Sequence, residues 1–265
     1  MTGAMLSARS LSKSFGGQRA TVLGAAVPRL TALDNVSLDI MRGKTLGVVG
    51  ESGSGKTTLG RLLLLLDQPS FGEVLFEGRN AALLDAAGRR EFRRRVQPVF
   101  QNPYSSLNPR MTIGAIVSEP LLWSGAAGRE ERRARVAEAL VSVGLSPDDI
   151  GRFPGNFSGG QRQRIAIARA IASQPHVIIL DEPVSSQDIS VRAQILNLLK
   201  DIQEQKGVAY LLITHDLSTL SFMCDEVAVL HQGKVVEHGT AAQVCTAPKH
   251  AYTATLLSSV LSIDA

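Results

Sequence analysis

The sequence predicts an α/β protein: a parallel sheet with crossover helices, interrupted by a helical insert and carrying an antiparallel β patch near the N-terminus. Three observations predict it. Two apolar runs, "HVIILDE" and "VAYLLITHD", flank the helical stretch "SVRAQILNLLKDIQEQKG", the pattern of buried parallel strands joined by a crossover. A third run, "TLGVVG", ends in glycine and leads into "KTTLGRLLLLLDQPS", which reads as strand, loop and helix, with the helix end marked by Pro69. From about residue 101 to 175 no strand is legible, whereas "LSARSLSKSF" and "NVSLDI" alternate as strands of a partly exposed sheet do.

The remaining elements follow the same signals. "GGQRATVLGAAVPRLTA" is a Gly- and Pro-punctuated loop or ribbon, and "GEVLFEG" and "RVQPVF" read as strands. "MTIGAIVSEPLLW" and "REERRARVAEALVSVGL" read as helices, and "EVAVLHQGKVVEHG" as a hairpin turning at Gln232 and Gly233. These elements divide the chain into an α/β core with its antiparallel patch (1–100 and 176–245), a helical subdomain (101–175) and a short tail (246–265).

With 265 residues, 44% of them hydrophobic, the chain can bury a sizeable core. No run approaches the roughly 18 apolar residues of a membrane span, and "MTGAMLSARS" lacks the apolar centre of a secretory leader. The protein is therefore expected in the cytoplasm. Cys224 and Cys245 stand at no metal-ligand spacing. The net charge of +4 is concentrated in "GRREFRRR" and "GREERRARV", where Arg and Glu mix at helical spacing as on a solvated helix face. Aromatic residues are not interleaved with that charge, so no nucleic-acid partner is expected.

"GESGSGKT" fits G-x-x-x-x-G-K-[ST], with Gly50, Gly55, Lys56 and Thr57 in register between a strand and a helix. Glycines let backbone N–H groups of Ser52, Gly53, Ser54 and Thr58 curl around phosphate oxygens. Lys56 can bridge the outer phosphates, and Thr57 can reach Mg²⁺. "VIILDEP" sets Asp181 and Glu182 at the end of a buried strand, suited to holding Mg²⁺ and to polarising an attacking water. His215, in "THD", follows another strand, and Gln101 offers a neutral amide for Mg²⁺ or the water; each is a weak signal alone. A second segment, "NFSGGQRQR", has the look of another anion-binding turn.

In this order, phosphate loop, Gln101, "FSGGQ", "LDEP", Asp188 and His215, the chain resembles the ABC ATPase family over nearly its whole length. The resemblance implies a P-loop ABC ATPase core using ATP and Mg²⁺, with Glu182 as catalytic base and His215 at the γ-phosphate. It also implies that Ser158, Gly159, Gly160 and Gln161 close over ATP held by a second subunit in a head-to-tail dimer, with Asp188 at the interface. Phe15 becomes the candidate adenine stacker, with core packing its alternative. "PVSSQD" departs from the family's usual Ser-Ala-Leu-Asp, with Ser186 and Gln187 in place of Ala and Leu.

The stretches "VFQNPYSSLNPRMTIG", "GVVGESGSGKTTLGRLLL" and "APKHAYTATLL", with the loop between Phe15 and Leu33, are similar to the dipeptide, oligopeptide and nickel uptake branch. They look most like the second of its two ATPases. The branch implies a different second ATPase, two membrane permease subunits, an external solute-binding protein, and a peripheral place on the cytoplasmic face of the inner membrane. Non-transport ABC ATPases usually carry tandem cassettes or long coiled coils, and neither appears here. A weakly hydrolysing regulatory subunit is the other alternative, with "SSQD" as its support.

Overall fold

The computed structural model describes residues 3–16, 30–101, 106–124, 128–185 and 187–261. The chain opens with two long strands, β1 (Ala4–Phe15) and β2 (Leu30–Met41), then a short apolar strand β3 (Thr45–Val49) and helix α1 (Lys56–Leu63). β4 (Phe71–Phe76), β5 (Arg79–Asn80), α2 (Ala86–Arg95) and β6 (Val96–Val99) follow. Helices α3 (Ile113–Ser124), α4 (Arg129–Ser142) and α5 (Gly159–Ala172) precede β7 (Val177–Asp181), α6 (Ile189–Lys206), β8 (Ala209–Ile213) and α7 (Leu217–Met223). The chain then runs through β9 (Glu226–His231), β10 (Lys234–Thr240), α8 (Ala241–Thr246) and α9 (Ala251–Leu261).

The strands form a four-stranded antiparallel patch, β2-β1-β4-β5, and a six-stranded sheet ordered β10-β9-β3-β8-β7-β6. In the larger sheet β9, β3, β8, β7 and β6 are parallel, and only the edge strand β10 runs the other way. The continuous apolar runs of β7 and β8 exist because both faces of this sheet are covered. Val177 and Ile179 pack toward α1 and the antiparallel patch, while Ile178 and Leu180 pack toward the helices between 113 and 172. Pro98, which has no N–H to give a ladder, sits in the edge strand β6.

Local chemistry sets the ends of the elements. The helix expected to run to Pro69 stops at Leu63, because Leu65 turns into the left-handed region (φ 54°) and the Leu66 N–H bonds back to the Arg61 carbonyl at 2.9 Å. An Arg61–Asp67 ion pair at 2.6 Å spans this turn. Helix α6 ends as its sequence suggests, on Gly207 with φ 64°. The Arg and Glu residues of α2 and α4 pair along their own helices, Glu91 with Arg94 and Arg95, and Glu131 with Arg135. Among the described residues no helix is long and apolar enough to cross a membrane.

The β9–β10 hairpin turns where expected, with Gln232 at φ 47° and Gly233 at φ 80°, the two left-handed residues of a type I′ turn. Gly233 is also tied into the rest of the molecule. Its N–H donates to the Ser54 carbonyl at 2.9 Å and its carbonyl accepts from Asp34 N–H at 2.8 Å, while an added Cβ would press on the Ala32 carbonyl at 2.8 Å. Gly233→Ala is therefore expected to destabilise the chain by about 1–3 kcal/mol in a denaturant titration, through backbone strain and crowding together.

Candidate functional site

The phosphate loop follows β3, and its shape depends on missing side chains. A Cβ on Gly50 would run into the Leu230 carbonyl, and one on Gly55, at φ 109°, into the Ala32 carbonyl. Gly53 is left-handed as well, at φ 81°. Lys56 begins α1 and folds back over the loop, its Nζ donating to the carbonyls of Gly50 at 2.6 Å and Glu51 at 2.7 Å. Its side chain is largely buried, and desolvation lowers its pKa against the opposing pull of Glu182, Asp181 and Glu51.

Adjacent parallel strands deliver the acids and their companions to one edge. Val99 of β6 is level with Leu180 of β7, and Asp181 with Ile213 of β8. Gln101, Glu182 and His215 therefore all emerge within two residues of the carboxyl ends of neighbouring strands, the usual ligand edge of such sheets. They bond to one another. Gln101 Nε2 donates to Glu182 Oε2 at 2.7 Å, and His215 Nδ1 lies 3.0 Å from Glu182 Oε1. Since a carboxylate only accepts, that contact puts the imidazole proton on Nδ1.

Glu182 itself has a left-handed backbone (φ 47°), held by its N–H on the Ile213 carbonyl at 2.8 Å. Such strain in a non-glycine residue collects at functional sites. Its neighbour Asp181 has a raised pKa, chiefly from burial, then from the Glu182 charge, with Lys56 pulling the other way.

A cleft of about 500 Å³ is lined by Ser52, Gly53, Gly55, Lys56, Thr57 and Thr58 of the phosphate loop and the start of α1. Gln101, Asp181, Glu182 and His215 line it too, as do Phe15 and Leu30. Phe15 and Leu30 are cross-strand partners in β1 and β2, and Phe15 is 43% exposed with Lys13 Nζ 5.2 Å from its ring centre. The core-packing alternative for Phe15 is therefore excluded. Gly50 and Ser54 of the loop do not line the cleft: Gly50 packs against Leu230, and the carbonyl of the nearly buried Ser54 accepts from Gly233 N–H.

Ser158, Gly159, Gly160, Gln161 and Asp188 do not line this cleft. Ser158 caps α5 in a reciprocal box: its Oγ accepts from Gln161 N at 3.3 Å and its N–H donates to Gln161 Oε1 at 2.9 Å. Gly160 packs against Val191 in the first turn of α6, where a Cβ would come within 2.7 Å of Val191 Cγ1. Asp188 is the N-cap of that same helix and makes no side-chain capping bond. Two helix N-termini thus lie side by side, with Ser158, Gln161 and Asp188 exposed. Ser186, in the "SSQD" departure, the loop residues 17–29 and residues 102–105 lie outside the described residues.

Comparison with known proteins places this geometry. A family model described as "ABC transporter" matches residues 33–185. The chain belongs to the ABC transporter family. This ABC ATPase is 49% identical over 228 residues to the dipeptide transport ATP-binding protein DppF of Escherichia coli, covering 86% of this chain and 68% of that protein. It is 46% identical over 255 residues to DppF of Haemophilus influenzae, covering 96% of this chain and 77% of the relative. Among solved structures, the ABC ATPase is similar to MJ0796, seen as a dimer in a post-hydrolysis state bound to ADP and Pi. The TM-score is 0.76 and the identity 31%, over 89% of this chain and 99% of that one. CbiO1 of Clostridium perfringens, part of a CbiONQ transporter complex, gives a TM-score of 0.77 and 27% identity over 91% and 90% of the two chains.

The charges of the cleft predict a pH effect on the stability of the ABC ATPase. A carboxyl group with a raised folded-state pKa favours the fold below its unfolded value and loses that contribution as pH rises through the folded one. Ionised Asp181 therefore costs stability at neutral pH. Asp181→Asn is expected to raise the neutral melting temperature by about 1–4 °C. It should also remove the part of the decline that begins near pH 3.8, the ordinary value for an aspartate, as measured by thermal melts across pH.

Proposed function

We propose that this chain is the ATP-hydrolysing subunit of a small-peptide importer, working in a head-to-tail pair with a second ATPase beneath two membrane permease subunits. The observation that carries the reading is the convergence of Gln101, Glu182 and His215 on the edge of a cleft walled by the phosphate loop. The names of the DppF relatives support peptides over nickel as cargo, collected by an external solute-binding protein. The importer reading puts the chain on the cytoplasmic face of the membrane, as a peripheral subunit. It also keeps the division into an α/β core (1–100, 176–245), a helical subdomain (101–175) and a tail (246–265).

The cleft's donors fit a hard divalent cation, which takes hydroxyl, carboxylate and amide oxygens. Thr57, Asp181 and Gln101 supply those groups, and the half-buried Asp181 carboxylate would gain from a cation beside it. Mg²⁺ held there would neutralise charge on the outer phosphate oxygens. Lys56 Nζ exchanges the carbonyls of Gly50 and Glu51 for phosphate oxygens, and the N–H groups of residues 52–58 follow the phosphate chain. Phe15 offers its exposed ring to the adenine.

Both oxygens of Glu182 are engaged, one by Gln101 and one by His215. Gln101 would help to hold Mg²⁺, which would leave Glu182 Oε2 open to accept a hydrogen bond from the attacking water, while His215 holds Oε1 and faces the γ-phosphate. The water's oxygen bonds to the terminal phosphorus and its proton passes to Glu182 Oε2, as the bond from that phosphorus to the bridging oxygen breaks and the oxygen leaves on ADP with the electron pair. Ser158, Gly159, Gly160 and Gln161 serve the partner's nucleotide, presenting the positive end of α5, with Asp188 beside them. A second groove of about 650 Å³ reaches Phe100, the residue before Gln101, and has Leu64, Phe92 and Pro120 in its wall with Arg93 and Arg169. There the permease helices would press, so that closure of the ATPase pair moves them.

Glu182→Gln tests the reading. It is expected to bind ATP with wild-type affinity, to lower the hydrolysis rate at least about 100-fold, and to hold the ATPase pair closed. Hydrolysis at the wild-type rate would contradict the assignment of the base.

A further inference from the structure

Besides the strands already described, the phosphate loop has a support that comes from the other end of the chain. Helix α9 packs with α7 and α8 against the outer side of β3 and β9, and its second residue, Tyr252, belongs to that cluster. The Tyr252 hydroxyl accepts a hydrogen bond from the Glu51 N–H at 3.1 Å, across 201 positions of sequence. Its ring lies against His231, the last residue of β9, with ring centres 3.8 Å apart.

The helix that carries Tyr252 is pinned in turn. Glu237 of β10 accepts from the N–H groups of Lys249 at 2.8 Å and His250 at 3.0 Å, which anchors the approach to α9. His250 Nδ1 accepts from Tyr252 N–H at 3.2 Å. Hairpin, helix and tyrosine thus form one rigid bracket.

What the bracket grips is the second residue of the phosphate loop. The N–H of Glu51 goes to Tyr252, and its carbonyl accepts both from Lys56 Nζ at 2.7 Å and from Ser54 N–H at 3.2 Å. Rotation of the peptide that carries this N–H would swing Gly50, which has no room to move against Leu230, and would disturb the carbonyl to which Lys56 is tied. A hydrogen bond on Glu51 N–H therefore fixes the loop in one shape before any ligand arrives, which lowers the ordering cost of binding.

We propose that Tyr252 is a positioning residue for ATP: through its hydroxyl, α9 holds the start of the phosphate loop in its binding shape and so sets nucleotide affinity from the far end of the chain. The inference rests on the nucleotide reading of the cleft. It assigns the tail segment "HAYTATLL" a role in the site that its place in the sequence does not suggest.

The test compares the full-length wild type, Tyr252→Phe and Lys56→Ala by titration with a fluorescent N-methylanthraniloyl ATP, alongside thermal melts and amide hydrogen exchange. Tyr252→Phe keeps the ring on His231 and loses only the hydroxyl. Its dissociation constant should rise about fivefold, the net worth of one hydrogen bond, with a melting temperature no more than about 4 °C below wild type. Exchange at the Glu51 amide should speed up while the amides of α9 stay protected. Unchanged affinity in Tyr252→Phe, with wild-type binding intact and lost in Lys56→Ala, overturns the inference and leaves the nucleotide site standing. A wild type that binds no more probe than Lys56→Ala overturns the nucleotide reading and this inference with it.

Discussion

At residues 50–55 the phosphate loop lies backbone to backbone against two other strands, so closely that a Cβ on Gly50 would collide with the Leu230 carbonyl and one on Gly55 with that of Ala32. The rest of the site depends on this contact. β2 and the β9–β10 hairpin form a mould for the loop, and Gly233 completes it by reaching both Ser54 and Asp34. The close-packed glycines fix where α1 starts, hence where Lys56 emerges, and the parallel register of β3, β8, β7 and β6 brings His215, Glu182 and Gln101 to the same edge. Position comes from packing, and chemistry comes from what the strand ends carry.

The cleft holds charges in an unfavourable state. Lys56 is desolvated, Asp181 is buried beside Glu182, and each shifts toward its neutral form. In the function proposed above, triphosphate with a divalent cation would bring the opposite charge to each and so relieve the cost that the fold carries. Such sites trade stability of the empty protein for affinity, and the left-handed backbone of Glu182 belongs to the same trade. The hydrogen bonds from Gln101 and His215 keep both oxygens of that carboxylate occupied in the meantime.

Much of this was legible in the sequence because it is written in local patterns. The glycines and Lys56 of "GESGSGKT" follow an apolar run, and "VIILDE" ends its strand in two acids, so loop, strand ends and helix start can be read off without tertiary knowledge. Gln101 and His215 were weak signals because their meaning comes from strand order, which sets residues 81 and 33 positions away from Glu182 within hydrogen-bond reach. Proline misled at α1, where the chain leaves the helix through a left-handed leucine and an Arg61–Asp67 pair well before Pro69. Tyr252 gave no local sign at all. Its partner is a backbone N–H, which every residue but proline possesses, and only the packing of α9 selects Glu51.

In the function proposed above, this chain holds half of each of two composite sites, its phosphate loop facing one partner surface and its Ser158–Gln161 segment another. The most direct measurement is a cryo-electron microscopy structure of the assembly extracted from native membranes and trapped with ATP and Mg²⁺. ATP is expected between residues 50–58 of this chain and a Ser-Gly-Gly-Gln segment of the second ATPase, with Ser158–Gln161 over the partner's nucleotide. ATP enclosed by this chain alone, with Ser158–Gln161 turned to solvent, would contradict it.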